Sequence, residues 1–384
     1  MKNAATGLAF LALCFLPGDT SVNSSGFRQL SIPTGHGPRW IAVADLNHDG
    51  NPDIVVANAE GGTVTILLGD GKGQFHEAPG SPFAAGHLPN DIAIADMNGD
   101  GKPDLVIANH QSPYISIFLG DGKGSFHPAP GSPFDVHSNP HPHAVVVADF
   151  NGDGKPDVAT DSWGNNQIEL LLGDGKGGIA TPGRYFATGH RPYERLRTAD
   201  FNRDGSPDIV TTNLEDDTVS ILLGDGKGGF LNAPGSPFPA GGKPWQVAID
   251  DLNGDGNPDL VVIPYQRDIA GPSQDAVTVL LGDGKGSFRP MPGSPLPLGE
   301  CRGTNSVAAG DLRGNGHHAI AVSCAESRNL LLFERAANGQ FTPSSIPIKG
   351  GWGSVAIARL TSDPKSELIT ADADAGTITI YFPN

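Results

Sequence analysis

The sequence predicts an all-β protein: a seven-bladed β-propeller whose ring is closed by an N-terminal strand that completes the last blade. A motif rich in Asp recurs about every 50 residues, a period typical of propeller blades. Each repeat contains four short apolar runs separated by turn residues, the pattern of short strands. The 53 glycines and 33 prolines among 384 residues are too many for a protein built on long helices.

The charge balance is strongly acidic. Lys and Arg number 25 against 42 Asp and Glu, a formal net charge of −17. This argues against nucleic acid as a partner, because phosphate binding needs clustered cations. The acidity indicates either a highly soluble surface or carboxylates gathered around cations.

The N-terminus predicts export. Residues 4–16 form an apolar run behind Lys2 that is too short to span a bilayer and has the length of a signal-peptide core. We expect a signal peptide over residues 1–24 and a secreted or extracytoplasmic domain over residues 25–384, with no transmembrane segment. A buried first strand and a lipid-anchored Cys14 are the alternatives, and Leu13 argues against the second because a small residue is usual there.

The repeat fixes the number of blades. Five close copies of the motif place their first Asp at Asp45, Asp96, Asp149, Asp200 and Asp251, with spacings of 51, 53, 51 and 51 residues. Two degenerate copies begin at Asp311 and Arg359. We therefore expect seven blades, and we expect the protein to be a monomer.

Each repeat indicates four strands in order. In the first copy, the apolar residues 41–44 lead into the Asp-rich loop, 54–57 leave it, 64–68 follow a Glu-Gly-Gly turn, and Phe75 follows a Gly-Asp-Gly-Lys-Gly hairpin. Residues 27–33 resemble the fourth-strand segment 341–347, whereas the chain stops in a third strand at 377–382. We expect residues 27–33 to supply the missing outer strand of the last blade and to remove two free edges.

The Asp-rich loops predict about five calcium sites, in blades 1 to 5. Side-chain oxygens at loop positions 1, 3, 5 and 9 surround a glycine at position 6, and hard oxygen donors at this spacing suit Ca²⁺ better than Mg²⁺. The carbonyl of position 7 completes each set, and an Asx turn without metal is the alternative. The predicted ligands are Asp45, Asn47, Asp49, Asn51 and Asp53; Asp96, Asn98, Asp100, Lys102 and Asp104; Asp149, Asn151, Asp153, Lys155 and Asp157; Asp200, Asn202, Asp204, Ser206 and Asp208; and Asp251, Asn253, Asp255, Asn257 and Asp259.

The two degenerate copies suggest substitutes for the ion. In the seventh, Arg359 replaces the first ligand and Glu367 stands at position 9, so we expect an internal ion pair. In the sixth, Cys301 lies before the first strand and Cys324 just after the second, and these strands are antiparallel neighbours, so a disulfide is expected to clamp that blade.

The motif resembles the FG-GAP (VCBS-type) repeat, the family that includes the propeller of integrin α subunits. The residues that carry the resemblance are Asp-x-Asn-x-Asp-Gly-x-x-Asp, then Leu-Leu-Gly-Asp-Gly-Lys-Gly-x-Phe and Ala-Pro-Gly-Ser-Pro-Phe. The resemblance implies a seven-bladed propeller with calcium in the loops between first and second strands. It says little about ligand, because one propeller frame serves many functions.

The face opposite the Asp loops is the predicted ligand face. Aromatic and basic residues gather in its loops, and rings with nearby donors suit a glycan or a cell-surface protein. The candidates are Trp40, Trp163, Trp245, Trp352, Tyr114, Tyr193, Tyr265, His36, His87, His143, His190 and Arg197. Packing between blades is the alternative role for each of them.

No catalytic residue is assigned. The sequence contains no Gly-x-Ser-x-Gly, no His-Glu-x-x-His and no phosphate-binding loop. The function expected is a binding or adhesion module. The alternative is a polysaccharide-active enzyme, such as a lyase that uses His, Tyr and Arg at the channel mouth.

Overall fold

The computed structural model describes residues 20–22, 26–139, 141–266 and 276–384, which form seven antiparallel sheets. The prediction of an all-β, seven-bladed propeller is confirmed. Within the described residues the one helical segment is the 3₁₀ turn Trp163–Asn165. Most of the predicted signal peptide, residues 1–24, lies outside the described residues.

Each blade takes its strands from one sequence repeat, except the last. The strands of blades 1 to 3 are Pro38–Ala44, Asp53–Asn58, Thr63–Gly69, Phe75–Glu77 and Phe83–Ala84; Pro89–Ala95, Asp104–Asn109, Tyr114–Gly120, Phe126–Pro128 and Phe134–Asp135; and Val145–Ala148, Asp157–Ser162, Gln167–Leu171 and Arg184–Ala187. The strands of blades 4 and 5 are Pro192–Ala199, Asp208–Asn213, Thr218–Gly224, Phe230–Asn232 and Phe238–Pro239; and Pro244–Asp250, Asp259–Pro264, Ala276–Gly282, Phe288–Pro290 and Leu296–Pro297. Those of blades 6 and 7 are Thr304–Gly310, Ala319–Cys324, Asn329–Arg335 and Phe341–Pro347; and Val355–Ala358, Glu367–Asp372 and Thr377–Pro383 with the N-terminal Phe27–Pro33 and Thr20–Val22.

The two ends of the chain meet in blade 7. Phe27–Pro33 pairs antiparallel with Thr377–Pro383 over seven residues, from Phe27 opposite Pro383 to Pro33 opposite Thr377. Thr20–Val22 adds a fifth strand outside it. The N-terminal segment therefore supplies the fourth strand that the last repeat lacks.

The core lies between neighbouring blades. Second strands such as Asp53–Asn58 and Asp104–Asn109 are buried along their whole length, as strands covered on both faces must be. Val55 and Leu68 of blade 1 pack against Ile92 of blade 2 in one apolar cluster. Equivalent clusters join the other blades, so each sheet is stabilised by its two neighbours rather than by one central core.

Hydrogen bonds also link the blades at the face of the Asp loops. The Gly177 N–H in the glycine hairpin of blade 3 donates to the Met97 carbonyl in the Asp loop of blade 2 at 3.0 Å. Gly177 has φ of +89°, and an added Cβ would lie 3.0 Å from Leu119, so glycine is required there. The same bond joins Gly228 to Phe150 and Gly286 to Phe201. Each of these Asp loops thus also holds the hairpin of the following blade.

Candidate functional sites at the two faces of the ring

The five regular Asp loops share one geometry, shown by blade 2. Asp96 Oδ1 accepts the N–H of Asp100 at 3.1 Å, and its Oδ2 accepts that of Gly101 at 2.8 Å. Asn98 Oδ1 also accepts the Asp100 N–H at 2.9 Å, and Asp100 Oδ1 accepts the Lys102 N–H at 3.0 Å. These bonds turn the oxygens of positions 1, 3 and 5 toward the inside of one tight loop.

Position 9 differs because its carboxylate is wholly buried. Asp104 Oδ2 accepts the Met97 N–H and Oδ1 accepts the Gly120 N–H, both at 2.8 Å. The same pair of bonds is made by Asp53, Asp157, Asp208 and Asp259. This residue therefore ties the loop to the end of the third strand, a structural role that the spacing alone did not reveal.

The carboxylates of each loop repel one another. Burial raises the pKa of Asp104, and the charges of Asp100 and Asp96 raise it further against the lowering by its two backbone hydrogen bonds. For Asp208 and Asp259 the same causes raise the pKa to about 6. A set of carboxylate oxygens gathered in one loop, with the pKa of its buried member raised by the others, is what a hard dication neutralises, so the residues fit such an ion.

The degenerate loops are held differently. In blade 7, Arg359 Nε donates to the Asp363 carbonyl at 3.0 Å, while Glu367 accepts the Leu360 N–H at 2.7 Å. The ion pair expected between Arg359 and Glu367 does not form among the described residues, because each has a closer backbone partner. In blade 6, Ala319 stands at position 9, so the buried carboxylate is lost.

A disulfide lies in blade 6. Cys301 and Cys324 are bonded, with their Cα atoms 5.3 Å apart. Cys324 is the last residue of the second strand, and both residues are buried in the cluster shared by blades 5 and 6. The bond therefore fastens the loop that precedes the first strand to the second strand.

The opposite face carries a cavity of about 880 Å³ at the mouth of the channel. Five first strands have a register shift near their start. In blades 1, 2, 5 and 6 the shift leaves one extra residue opposite a continuous partner strand: Arg39, Asn90, Trp245 and Asn305. Three of these, Arg39, Trp245 and Asn305, line the cavity. The bulges thus re-aim side chains toward the channel, a common use of this irregularity near binding sites.

Aromatic side chains form one wall of this cavity. The ring centroids of Tyr193 and Trp245 are 5.1 Å apart, and those of Trp245 and Tyr265 are 4.7 Å apart. Trp352 lines the same cavity. Four predicted ligand residues are thus brought together, although Trp245 is only 6% exposed and also belongs to the core.

Charges of both signs surround the cavity. Arg39, Arg191 and Lys243 are the cationic lining residues, and Glu60, Glu215, Asp217 and Asp374 are the anionic ones. Arg191 pairs with Glu215 at 3.2 Å, and its guanidinium lies 5.4 Å from the centre of the Tyr193 ring. The rim therefore offers donors and acceptors without a dominant sign of charge.

Two predicted ligand residues, Trp40 and Arg197, do not line the cavity. The guanidinium groups of Arg195 and Arg197 lie over the Trp40 ring, 4.0 and 5.1 Å from its centre. They lie 4.0 and 3.8 Å from the buried carboxylate of Asp91. Burial raises the pKa of Asp91, while the two guanidinium groups lower it. Trp40 and Arg197 therefore belong to an internal cluster that packs blade 1 against blades 2 and 4.

Four more predicted residues lie apart from the cavity lining. Tyr114 is 40% exposed at the start of a third strand, where it pairs with Asp135. His36 lies 3.1 Å from Glu60 on the surface, and His87 is exposed. His190 Nδ1 lies 2.8 Å from Asp216, which raises the pKa of the imidazole. The loops of His36, His87 and His190 resemble that of His143 in sequence, but the side chains of these three histidines are exposed to solvent.

His143 and Trp163 instead belong to an inner group of rings. His143 is buried and lies with its ring centroid 4.2 Å from Tyr193 and 5.9 Å from Trp163. His110 and His141, which the sequence reasoning missed, lie 4.8 Å from it by the same measure. The signal that could have found them is the pair of histidines in Pro-His-Pro-His, residues 140–143, found in one repeat only.

No helix among the described residues is long and apolar enough to cross a membrane. The ring of seven antiparallel sheets, five of which carry a regular aspartate loop, defines a seven-bladed β-propeller with repeated aspartate loops. A family model described as FG-GAP-like repeat matches residues 45–107, 96–160 and 200–262. Those parts of the chain carry FG-GAP-like repeats.

Relatives share parts of this chain. Integrin alpha-7 of Homo sapiens is 27% identical over 150 residues, which cover 33% of this chain and 12% of that protein. Cartilage acidic protein 1 of Mus musculus is 26% identical over 246 residues, which cover 60% of this chain and 37% of that protein. Phosphatidylinositol-glycan-specific phospholipase D of Bos taurus is 31% identical over 107 residues, 25% of this chain and 13% of that protein. The chain thus spans well under half the length of each of these relatives.

Solved structures match over nearly the whole ring. A streptogramin B lyase structure has a TM-score of 0.59 at 12% identity, covering 95% of this chain and 100% of that one. A putative 6-phosphogluconolactonase from Bacteroides uniformis has a TM-score of 0.61 at 12% identity, covering 94% and 93%. At such identities the likeness concerns the fold alone.

Proposed function

We propose that the protein is an exported, calcium-stabilised propeller that acts as a binding or adhesion module. Its ligand, a glycan or a cell-surface protein, binds at the channel mouth opposite the aspartate loops. The observation that carries the proposal is the 880 Å³ cavity, into which backbone bulges direct Arg39, Trp245 and Asn305. An aromatic wall with a rim of mixed charge suits a polar ligand that also presents flat apolar faces.

Calcium is the proposed ion of the loops in blades 1 to 5. All the side-chain donors at positions 1, 3, 5 and 9 are oxygens, which Ca²⁺ prefers, and Mg²⁺ demands a smaller octahedron. Bound calcium cross-links each loop and neutralises carboxylates that otherwise repel. Elemental analysis of calcium-equilibrated protein should find about five ions, and the absence of bound metal would refute this part.

Export is supported by two features. The disulfide between Cys301 and Cys324 requires an oxidising compartment to form and persist. The apolar run at residues 4–16 has the length of a signal-peptide core. The N-terminal sequence of the mature protein, with cleavage near residue 24, would test this proposal.

The ligand class is tested with a glycan array and with capture of cell-surface proteins, both in calcium. Tyr265→Ala and Trp352→Ala remove lining residues, and Tyr114→Ala is the matched control because that tyrosine is exposed outside the cavity lining. Binding lost in the first two variants and kept in the third supports the channel mouth as the site. Binding unaffected by all three variants would refute it.

A polysaccharide lyase is the second candidate. The observation in its favour is the buried pair of His143 Nδ1 and Asp161 Oδ2 at 2.9 Å, next to Tyr193. Proton abstraction needs a positioned base and a neutralising cation, and Arg191 lies over Tyr193. Release of unsaturated product from an acidic polysaccharide, lost in Tyr193→Phe, would favour the enzyme over the binding module.

A further inference from the structure

We propose that His110, His141 and His143 form a binding site for a divalent transition-metal ion, distinct from the five aspartate loops. The ligand nitrogens of the three imidazoles all lie within 4.8 Å of one another. His110 follows the second strand of blade 2, while His141 and His143 precede the first strand of blade 3. The group therefore bridges two neighbouring blades.

The hydrogen bonds of His143 orient it as a metal ligand. Its Nδ1 lies 2.9 Å from Asp161 Oδ2, while Asp161 Oδ1 accepts the N–H groups of His143 and Ala144 at 2.8 and 2.9 Å. The carboxylate thereby holds Nδ1 as the protonated nitrogen. His143 Nε2 is fully buried and makes no hydrogen bond, so its lone pair remains for an ion. Carboxylate–histidine–metal triads are built in this way.

Asp161 has no counterpart in the other blades. The equivalent positions in the second strands of blades 1, 2 and 4 are Ala57, Ala108 and Thr212. Asp161 itself is 1% exposed. A buried charge is costly unless it is paired and hydrogen-bonded. Asp161 therefore occurs in the same blade that carries two histidines before its first strand. This coincidence is a second, independent observation in favour of the site.

Imidazole nitrogens select the class of ion. Zn²⁺, Co²⁺, Ni²⁺ and Cu²⁺ bind imidazole well, whereas Ca²⁺ takes oxygen donors. A tetrahedral zinc ion with bonds of about 2.0–2.1 Å places its ligands about 3.4 Å apart. The nitrogens lie within 4.8 Å here, and small rotations of the half-buried rings of His110 and His141 close the difference.

The site borders the ligand cavity at His110. His110 lines that cavity together with Tyr193 and Arg191. Three histidines with one open position are the arrangement of catalytic rather than structural zinc sites. The cation on Arg191 is paired with Glu215 at 3.2 Å, which reduces its repulsion of a bound ion.

The test measures metal binding itself. Tag-free protein is stripped with chelator, returned to millimolar calcium and titrated with Co²⁺ and Zn²⁺. We expect one equivalent of Zn²⁺ to bind in the presence of calcium, and Co²⁺ to give the visible absorption of a low-coordinate site. His110→Ala and His141→Ala should each weaken binding by more than 10-fold, and Asp161→Asn by about 10–100-fold as expected for an orienting partner.

Controls separate the site from loss of fold. His127→Ala removes an exposed histidine on the fourth strand of blade 2 and should leave the titration unchanged. Calcium-dependent melting reports folding of each variant, and His110 and His141 are only half-buried, so these two variants should fold even if Asp161→Asn does not. Failure of the wild-type protein to bind one equivalent, or unchanged binding in His110→Ala and His141→Ala, would overturn the proposal.

Discussion

Replacing Asp104 by alanine separates the structural role of the aspartate loops from their proposed role in calcium binding. Asp104 is 0% exposed, and its two oxygens accept the N–H groups of Met97 and Gly120 at 2.8 Å. Alanine leaves both N–H groups buried without a partner. Each unsatisfied buried group costs about 1–3 kcal/mol, so we expect a loss of about 2–6 kcal/mol from the free energy of unfolding.

Blade 6 shows how part of this cost is avoided. It carries Ala319 at the same position, and there the Leu312 N–H donates to the Gly310 carbonyl at 3.0 Å. If Met97 turns to the Ala95 carbonyl in the same way, one unsatisfied group remains and the loss falls to about 1–3 kcal/mol. Either loss should be present with and without calcium.

Asp96→Ala is the matched variant at position 1. The hydrogen bonds of Asp96 are made to exposed loop N–H groups, which water can satisfy instead. Its cost is therefore mainly the binding energy of one ion. For a dissociation constant of about 10⁻⁴–10⁻³ M and about 2 mM calcium, that is about 0.6–1.8 kcal/mol.

The assay is denaturant unfolding followed by tryptophan fluorescence, in calcium and in chelator. Asp104→Ala should lower the midpoint in both solutions, and Asp96→Ala should lower it only in calcium. The reasoning is refuted if Asp96→Ala is equally destabilising in chelator, or if Asp104→Ala is harmless there.

Three further outcomes are expected. Replacing Cys301 and Cys324 by serine opens a loop with a sequence separation of 23 residues and should cost about 3 kcal/mol by the chain-entropy relation, seen as a lower unfolding midpoint that reductant does not lower further. Deleting residues 26–34 removes the closing strand and should open the ring, seen as a larger radius in small-angle scattering; an unchanged radius would contradict the closure. Asp216→Asn should lower the pKa of His190 toward about 6.5 in a proton NMR titration, because the Asp216 carboxylate raises the pKa of this imidazole. In the wild-type protein the pair therefore stabilises the fold below about pH 6.5, and this stabilisation is lost as the pH rises through the raised pKa of His190.

The propeller fold was predictable because the aspartate motif recurs at the same connection in each blade. Each aspartate loop joins the first and second strands of a blade, so counting loops counted blades. The strand Phe27–Pro33 was also recognisable, since an outer strand without its own blade has to pair with the edge that lacks one.

The channel mouth was only partly predictable, because bulges decide which side chains enter it. Trp40 and Trp245 occupy nearly the same place in their repeats. Trp245 is the extra residue of its bulge and lines the cavity, whereas Trp40 follows the bulge and lies beneath Arg195. A shift of one residue turns a side chain to the other face of a strand, and composition does not encode that shift.

The direction of the histidine side chains before the first strands was likewise not predictable from the sequence. Four of them stand in similar loops, but only His143 is directed inward, because Asp161 on the neighbouring strand accepts its ring and backbone N–H groups. That partner is 18 residues away in sequence. Contacts between strands of a blade, or between blades as for His110, require the fold before they can be seen.

The aspartate loops, the disulfide and the paired chain ends lie in different blades, and this distribution has a mechanical consequence. Blades 1 to 5 carry the regular loops, whereas blade 6 holds the covalent bond and blade 7 the strand in which the two chain ends meet. If these loops hold calcium as proposed, its removal should therefore loosen blades 1 to 5 and leave the disulfide of blade 6 and the strand pairing of blade 7 intact. Because such a ring stays closed and keeps its blades in order, adding calcium back should require only the loops to refold, and the strand order of the propeller need not form again.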